Sequence, residues 1–362
     1  MFDRARLFVR RILGHIRNTV KYDVPRAFLT RKLATDTRRL IIFLTPGYEL
    51  RSGGVMAINA MYHETVALKE IHQAQSVLCS IPGEPRILKY KWFKNNDYIL
   101  GLSTVLGHCR NLESVLIHIP EYRVNHVAQQ LSQLKPLLEK IPEVHLNVLL
   151  FNIDLIEEQN VKQLEEFGRV TCTTAHEGYS NQETRDAVGV PTHGLLICKG
   201  AEYYTPTKYE QKDELLIVSP DAHPLKERVL ERLARELPRL KVQIIQDLAY
   251  EEYAKVRQRA KWSLTFGEGL DGFFVEVVFC GGLSFAVFNE RFFTQEFSEL
   301  ENVYPSWEAL LEKMPVDLKQ LDDPQAYESQ WKKTFALVDN VLSTNRFRER
   351  LRQFYRGEYT FP

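Results

Sequence analysis

The 362-residue sequence contains no long hydrophobic run. Its apolar stretches are strand-length, such as residues 40–44, far short of the ~20 residues that cross a bilayer as a helix. It also lacks net charge: 47 Lys and Arg stand against 47 Asp and Glu, a balance that argues against a general nucleic-acid binder. Cysteine is sparse. Cys79, Cys109, Cys172, Cys198 and Cys280 are widely spaced and odd in number, with no Cys-x-x-Cys pair, so neither a zinc ribbon nor a redox couple is indicated. Free, mostly buried thiols in a reducing cytoplasm are the expectation. No secretory pattern opens the chain, because Arg interrupts its first apolar residues every few positions. Internal repeats and low-complexity tracts are absent as well.

What is present has the balance of an ordinary globular protein, 44% hydrophobic and 26% charged, and enough length for two cores. Charge is unevenly placed. Residues 1–40 hold eleven Lys and Arg against three Asp, a net of +8, and the remainder carries −8. Within residues 1–20, Phe2, Leu7, Phe8, Ile12, Leu13, Ile16 and Val20 recur at helical spacing with Arg between them. Such a helix either lies on an anionic membrane surface or docks on the protein's own body with its Arg face in water.

From residue 40 onward, short apolar runs (40–45, 76–81, 114–119, 145–151, 170–174) alternate with amphipathic stretches (55–71, 124–140, 156–167). Ile, Val and Leu on both faces of such runs predict parallel strands buried between helical layers. A polar, Tyr- and Pro-containing break over residues 200–212 reads as a linker. The alternation then restarts with strands at 215–219, 242–245, 262–266 and 283–287 and helices at 225–237, 250–260 and 272–279. The tail reads as helices at 307–314 and 327–354. The expected organisation is a basic segment (1–39), a first α/β domain (40–203), a second (204–330), and a C-terminal helix (331–362) that packs back toward the first.

The densest signal is Phe266-Gly267-Glu268-Gly269-Leu270-Asp271-Gly272, followed by Glu276 and then Cys280-Gly281-Gly282. It stands between a predicted strand and a predicted helix. Ligands of open α/β sheets bind outside the carboxyl ends of strands. Glycines there admit close backbone approach, and a helix N-terminus offers free N–H groups to a phosphate. Seven residues separate Glu268 from Glu276, which allows one carboxylate in the loop and one a turn into the helix. Each accepts two hydrogen bonds from a vicinal diol. Gly267, Gly269 and Gly272 come nearest to the dinucleotide pattern, but an NAD-dependent enzyme is not expected.

This stretch resembles glycosyltransferase family 4, whose members carry Glu, seven residues, Glu, then a Gly-containing turn, here Gly281, with Ala286 beyond. The resemblance spans about residues 210–290 and is thin elsewhere. It implies the GT-B fold, two Rossmann-like domains with parallel sheets facing a central cleft, and transfer of a sugar from a nucleoside diphosphate to a hydroxyl with anomeric retention. By resemblance, Glu276 binds the nucleotide ribose and Glu268 the donor sugar, while Gly269, Leu270, Asp271 and Gly272 cradle the diphosphate. Two positions depart from the family: Asp271 stands where Gly is usual, and Leu283 where Pro is usual. The loop from Ser219 to Lys226 matches a second family element, with Ser219 at the donor and Lys226 as the diphosphate cation. Lys226 is equally a plain surface lysine. Gly53-Gly54 resembles the family's glycine loop, and His118 its strand-end histidine facing the donor. His176, Asn152 and Asp154 are acceptor candidates, although a strand-terminal His satisfied by its own hydrogen bonds explains His176 as well.

No cofactor beyond the nucleotide-sugar donor is expected. No Asp-x-Asp occurs, so metal independence follows. The acceptor is expected to be a glycan or lipid-linked glycan, as in polysaccharide biosynthesis, handled in the cytoplasm or at the inner membrane face. Two alternatives stand: an inverting GT-B transferase with a His or Asp base, and a catalytically silent sugar-nucleotide-binding partner.

Overall fold

The structure is a computed structural model that describes residues 19–33, 36–156 and 158–362. The basic helix expected over residues 1–20 lies outside the described residues except at its last two positions. No helix among the described residues is long and apolar enough to cross a membrane. The chain forms two compact units. The first runs to Thr173 and includes Thr184–His193 and Arg352–Pro362; the second comprises Thr174–Glu183 and Gly194–Leu351.

In the first unit, β1 (Arg39–Pro46), β2 (Gln75–Ile81), β3 (Ile99–Gly101), β4 (Ser114–Pro120), β5 (Glu143–Leu150), β6 (Arg169–Thr174) and β7 (Thr192–Gly194) form a seven-stranded sheet. Its order is β3-β2-β1-β4-β5-β6-β7. The pairings of β1 with β2 and β4, of β2 with β3 and of β4 with β5 are parallel. Every residue of β1 after Arg39 is buried, which is why the run 40–46 shows no polar alternation. Helices α1 (Val24–Lys32), α2 (Gly53–Ala67) and α3 (Val124–Leu138) belong to this unit. Strand order reverses direction between β1 and β4.

The second sheet has the order β12-β11-β10-β8-β9 and is parallel throughout. Its strands are β8 (Asp213–Val218), β9 (Lys241–Ile244), β10 (Ala260–Leu264), β11 (Leu283–Val287) and β12 (Val303–Tyr304). Helices α4 (Lys226–Glu236), α5 (Tyr250–Arg259), α6 (Gly272–Phe279), α7 (Trp307–Leu321), α8 (Pro324–Val341) and α9 (Thr344–Arg356) follow. Trp262, Phe285, Met314 and Tyr327 belong to one buried cluster of this unit. Here the order reverses between β8 and β10.

Three differences from the sequence reading have local causes. Strands β3, β7 and β12 are three, three and two residues long, too short to show a period. The helix expected over 327–354 is two helices, because Leu342 leaves helical backbone at φ −110° and ψ 56°. Residues 200–212 are packed against the second unit rather than strung out as a linker. Lys212 Nζ is buried there and donates to the carbonyl oxygens of Gln258, Ala260 and Cys280 at 3.2, 3.1 and 3.0 Å. Gly281, at φ +85°, brings its backbone so close to Thr207 that an added Cβ would fall 2.4 Å from the Thr207 carbonyl oxygen. None of the five cysteines forms a disulfide, and four of them are buried.

The first unit contains a polar network under its last residues. Asn147 Nδ2 meets His118 Nδ1 at 3.0 Å and Thr173 Oγ1 at 2.9 Å. Thr171 Oγ1 donates to Asn147 Oδ1 at 2.9 Å and meets His145 Nε2 at 2.8 Å. The Tyr355 hydroxyl lies 2.7 Å from Thr65 Oγ1 and 3.4 Å from His118 Nε2. Burial makes these imidazoles hard to charge. It pushes His145 down to about 3, helped by Arg169, and lowers His118 well below its ordinary value, helped by His145 and His72.

An imidazole depressed in the folded state is neutral there, while the unfolded chain takes up a proton below 6.5. Stability is therefore full above that value and falls as pH drops toward about 3. The expected slope reaches about 1.4 kcal/mol per pH unit for each such histidine. Urea unfolding across this window should show it, and His145→Gln should be less pH-sensitive than the parent. Equal slopes for the two would show that His145 does not contribute to the acid limit.

Candidate functional site

In an open α/β sheet the ligand crevice lies outside the carboxyl ends of the strands where the order reverses. In the second unit that point falls between β8 and β10, so the loops leaving these two strands frame the candidate site. They are tied together. Ser219 N–H donates to Leu264 O at 3.0 Å, and Ser219 Oγ accepts from Phe266 N–H at 2.9 Å. Ser219 is 1% exposed, so this predicted donor contact serves the joint between the loops. Lys226, the predicted diphosphate cation, is turned back on its own loop. Its Nζ donates to the carbonyl oxygens of Ser219 and Asp221 at 2.6 and 2.8 Å and lies 5.4 Å from the Phe266 ring. An ammonium has three N–H groups, so one remains. Burial lowers the Lys226 pKa, and Asp221 opposes that shift.

After β10 the chain turns sharply. Thr265 Oγ1 accepts from Gly267 N–H at 3.1 Å and donates to Asp271 Oδ2 at 2.8 Å. Asp271 Oδ1 caps α6 by accepting from Phe274 N–H at 2.9 Å. Asp271 thus has a local role at the position where glycosyltransferase family 4 usually carries glycine: its carboxylate satisfies an amide that glycine would leave open, worth roughly a few tenths of a kcal/mol over glycine. Gly269 has φ +94°, and an added Cβ would lie 2.3 Å from the Phe293 ring. Gly272 opens the helix with nothing within 4 Å of where a Cβ would stand. Gly267, Gly269 and Gly272 do carry the full Gly-x-Gly-x-x-Gly spacing between a strand and a helix. The dinucleotide fingerprint belongs to the first strand of its sheet, whereas β10 is the third of this one.

Glu268 is half-buried and has no hydrogen bond or ion pair among the described residues. Burial, then Asp271 and Asp221, push its pKa up to about 7. Asp271 rises to about 6, again mainly by burial. Three carboxyl groups thus gather at this loop. They form no group able to hold a metal ion among the described residues.

Glu276 lies in different surroundings. Its carboxylate is ion-paired with Arg257 Nη1, and both side chains are nearly buried, 12% and 8% exposed. Its Oε1 accepts from the hydroxyls of Tyr204 and Tyr250, each at 3.2 Å. The Arg257 guanidinium lies 5.0, 5.1 and 5.2 Å from the rings of Tyr204, Tyr250 and Tyr253. Tyr253 stacks on Phe273, and its buried hydroxyl has no hydrogen-bond partner. That hydroxyl feels both Glu276 and Asp271, since both raise its pKa after burial does. The two glutamates have different partners: Glu276 meets Arg257, Tyr204 and Tyr250, whereas Glu268 feels Asp271 and Asp221. Sequence reasoning missed Arg257. The signal was available, because Tyr250, Tyr253 and Arg257 are spaced three and four apart and share one face of α5.

A cavity of about 380 Å³ opens beside the loop, lined by Gly267, Val287, Phe288, Asn289, Glu290 and Trp307. Trp307 stacks parallel to Phe266 at 5.0 Å between centroids, and His223 packs 4.0 Å from Trp307.

The other predicted site residues are dispersed. Ser52 caps α2 by accepting from Gly54 N–H at 3.2 Å; Gly53 is exposed with open space about it, in the loop after β1. His118 is 0% exposed, stacks on Phe43 at 4.4 Å, and has protein partners at both ring nitrogens. It is a core residue of the first unit and offers no edge to a donor. His176 packs edge-on to Phe292 at 5.2 Å, and burial pushes its pKa down to about 4. Asn152 Oδ1 accepts from Asp154 N–H at 3.0 Å, so Asn152 caps its own turn and Asp154 is exposed.

Gly269→Ala should destabilise the chain by roughly 1–3 kcal/mol, because the new methyl meets both a left-handed backbone and the Phe293 ring. Chemical denaturation measures it. A change within experimental scatter would mean that the loop relaxes freely.

No family model matches the sequence, and no curated protein matches it either. Solved structures do. The HepE protein of Anabaena in complex with UDP-glucose superposes with a TM-score of 0.58 at 10% identity, covering 88% of this chain and 99% of that one. Sucrose-phosphate synthase of Thermosynechococcus elongatus gives 0.55 at 10% identity, with 88% and 99% coverage. The Escherichia coli trehalose-6-phosphate protein bound with UDP-2-fluoro glucose gives 0.53 at 10% identity, with 90% and 99%. Two parallel sheets flanked by helices, matched over nearly the whole length of such proteins, give this chain the GT-B fold.

Proposed function

We propose that the protein is a nucleotide-sugar-dependent glycosyltransferase that moves a sugar to a hydroxyl of a glycan acceptor with retention of configuration, in the manner of family 4. The observation that carries this reading is the position of the Glu268-to-Glu276 stretch: it follows β10 at the reversal point of the second sheet of a GT-B chain. Structural relatives bound to UDP-glucose and UDP-2-fluoro glucose support a nucleotide-sugar donor.

In this reading the diphosphate lies on the amides of Gly269 to Gly272 at the start of α6, with the remaining Lys226 N–H at its edge. Arg257, Tyr204 and Tyr250 hold Glu276 in place, and the one lone pair left on its Oε2 accepts from the ribose. Glu268 meets the sugar ring. The bond from the anomeric carbon to the leaving phosphate oxygen breaks, the acceptor oxygen bonds that carbon, and the acceptor proton passes to the phosphate. The protein contributes position and fixed dipoles, with no metal or cofactor in the scheme.

Glu276→Gln should cut donor binding and turnover by orders of magnitude and also lower the thermal midpoint, because Arg257 is then left buried without its counter-charge; transfer at the parental rate rejects the assignment. A thermal-shift screen against UDP-, GDP- and dTDP-sugars identifies the base, since a ligand of the folded state raises stability. The pH dependence is a separate check. Glu268, poised at about 7, repels an anionic diphosphate once ionised, so affinity for UDP-glucose should weaken as pH rises through that value. Glu268→Gln should flatten the calorimetric profile. Tighter binding at higher pH would remove Glu268 from the donor site.

The ion pair that already occupies Glu276 favours one alternative, a silent sugar-nucleotide binder. Binding without hydrolysis or transfer over a broad acceptor panel would establish it. Product anomeric configuration separates retention from inversion.

A further inference from the structure

Helix α1 is fixed to the first unit by one side only. Arg26 turns inward and donates to the carbonyl oxygens of Pro85 and Ile87, and Thr30 and Leu33 are buried. His108 Nε2 meets Leu33 O at 3.2 Å. The opposite side is open. Val20, Val24 and Phe28 are 65%, 58% and 60% exposed. Val24 and Phe28 stand one turn apart on α1, and Val20 lies four residues earlier in the π-helical turn Thr19–Asp23 that leads into it. Lys21, Arg31 and Lys32 are exposed with them, and Lys32 lies 4.8 Å from the Phe28 ring. The lone acid of this stretch, Asp23, is paired with Arg26 at 3.5 Å.

An apolar stripe edged with unpaired cations is the wrong surface for water and a poor match for a neutral protein face. It suits a bilayer whose headgroups are anionic, where the rings and methyls enter the acyl boundary and the cations stay among the phosphates. The sequence adds charge of the right sign: residues 1–40 carry +8 in a chain that is neutral overall. We infer that the exposed side of α1, through Val20, Val24 and Phe28 with Lys21, Arg31 and Lys32, docks the protein on an anionic membrane surface. This stands apart from the proposed glycosyl transfer and does not depend on it.

Sedimentation of the full chain with vesicles tests it. The protein should pellet with vesicles of phosphatidylglycerol and phosphatidylcholine, stay in solution with phosphatidylcholine alone, and be released by salt. The double variant V24D/F28D should lose about tenfold or more in affinity, and K21Q/K32Q a comparable amount. All substituted side chains are exposed, so thermal midpoints should match the parent. Equal binding to neutral and anionic vesicles, no binding to either, or undiminished binding by V24D/F28D would each overturn the inference. So would a parent that sediments as a dimer dissociated by V24D/F28D, since a second copy would then be the occupant.

Discussion

The arrangement in the second unit depends on a buried charge pair. Burying Glu276 and Arg257 together costs each its hydration, which an ion pair repays only when the remaining polar atoms are satisfied. Here two tyrosine hydroxyls take one carboxylate oxygen, the guanidinium takes the other, and three tyrosine rings face the cation, but Arg257 Nε is buried without a hydrogen-bond partner among the described residues and the compensation is incomplete. The pair links α5 to α6, with Tyr204 brought in from the strap ahead of β8. Removing either partner would leave a buried charge alone, so the position of α6, and of the loop before it, is linked to the chemistry of Glu276.

The loop itself is held by a second device of opposite character. Thr265, Asp271 and Ser219 close it with neutral and charge-assisted hydrogen bonds, and Gly269 is pressed against Phe293. The result is a rigid turn with acids close together. Burial and mutual repulsion keep Glu268 and Asp271 partly protonated near neutrality. An anionic ligand at this turn would therefore meet less negative charge than the sequence suggests.

Much of the architecture was readable in advance because parallel strands buried on both faces leave continuous runs of Ile, Val and Leu. Among the described residues nine of the twelve strands fall in runs read from the sequence, although β9 is KVQI and mostly exposed and β6 and β10 mix in polar residues, whereas β3, β7 and β12 are too short to declare themselves. The glycine-and-glutamate loop was readable for a similar reason: its residues are contiguous. His118 was misread because a strand-end position says nothing about depth. His118 stands in the same kind of run as a site residue would, yet Phe43, Asn147 and Tyr355 enclose it.

By itself, then, the sequence determined two α/β cores, the order of their elements, and a glycine-rich turn carrying Glu268 and Glu276. These are properties of neighbouring residues, set by periodicity and backbone freedom. Tertiary structure alone decided what each side chain meets: that Lys226 closes its own loop, that Asp271 caps a helix, and that Glu276 is gripped by Arg257 and two tyrosines. Those partners lie up to 72 positions apart in the chain, and only the stacking of helices on the sheet brings their charges within range.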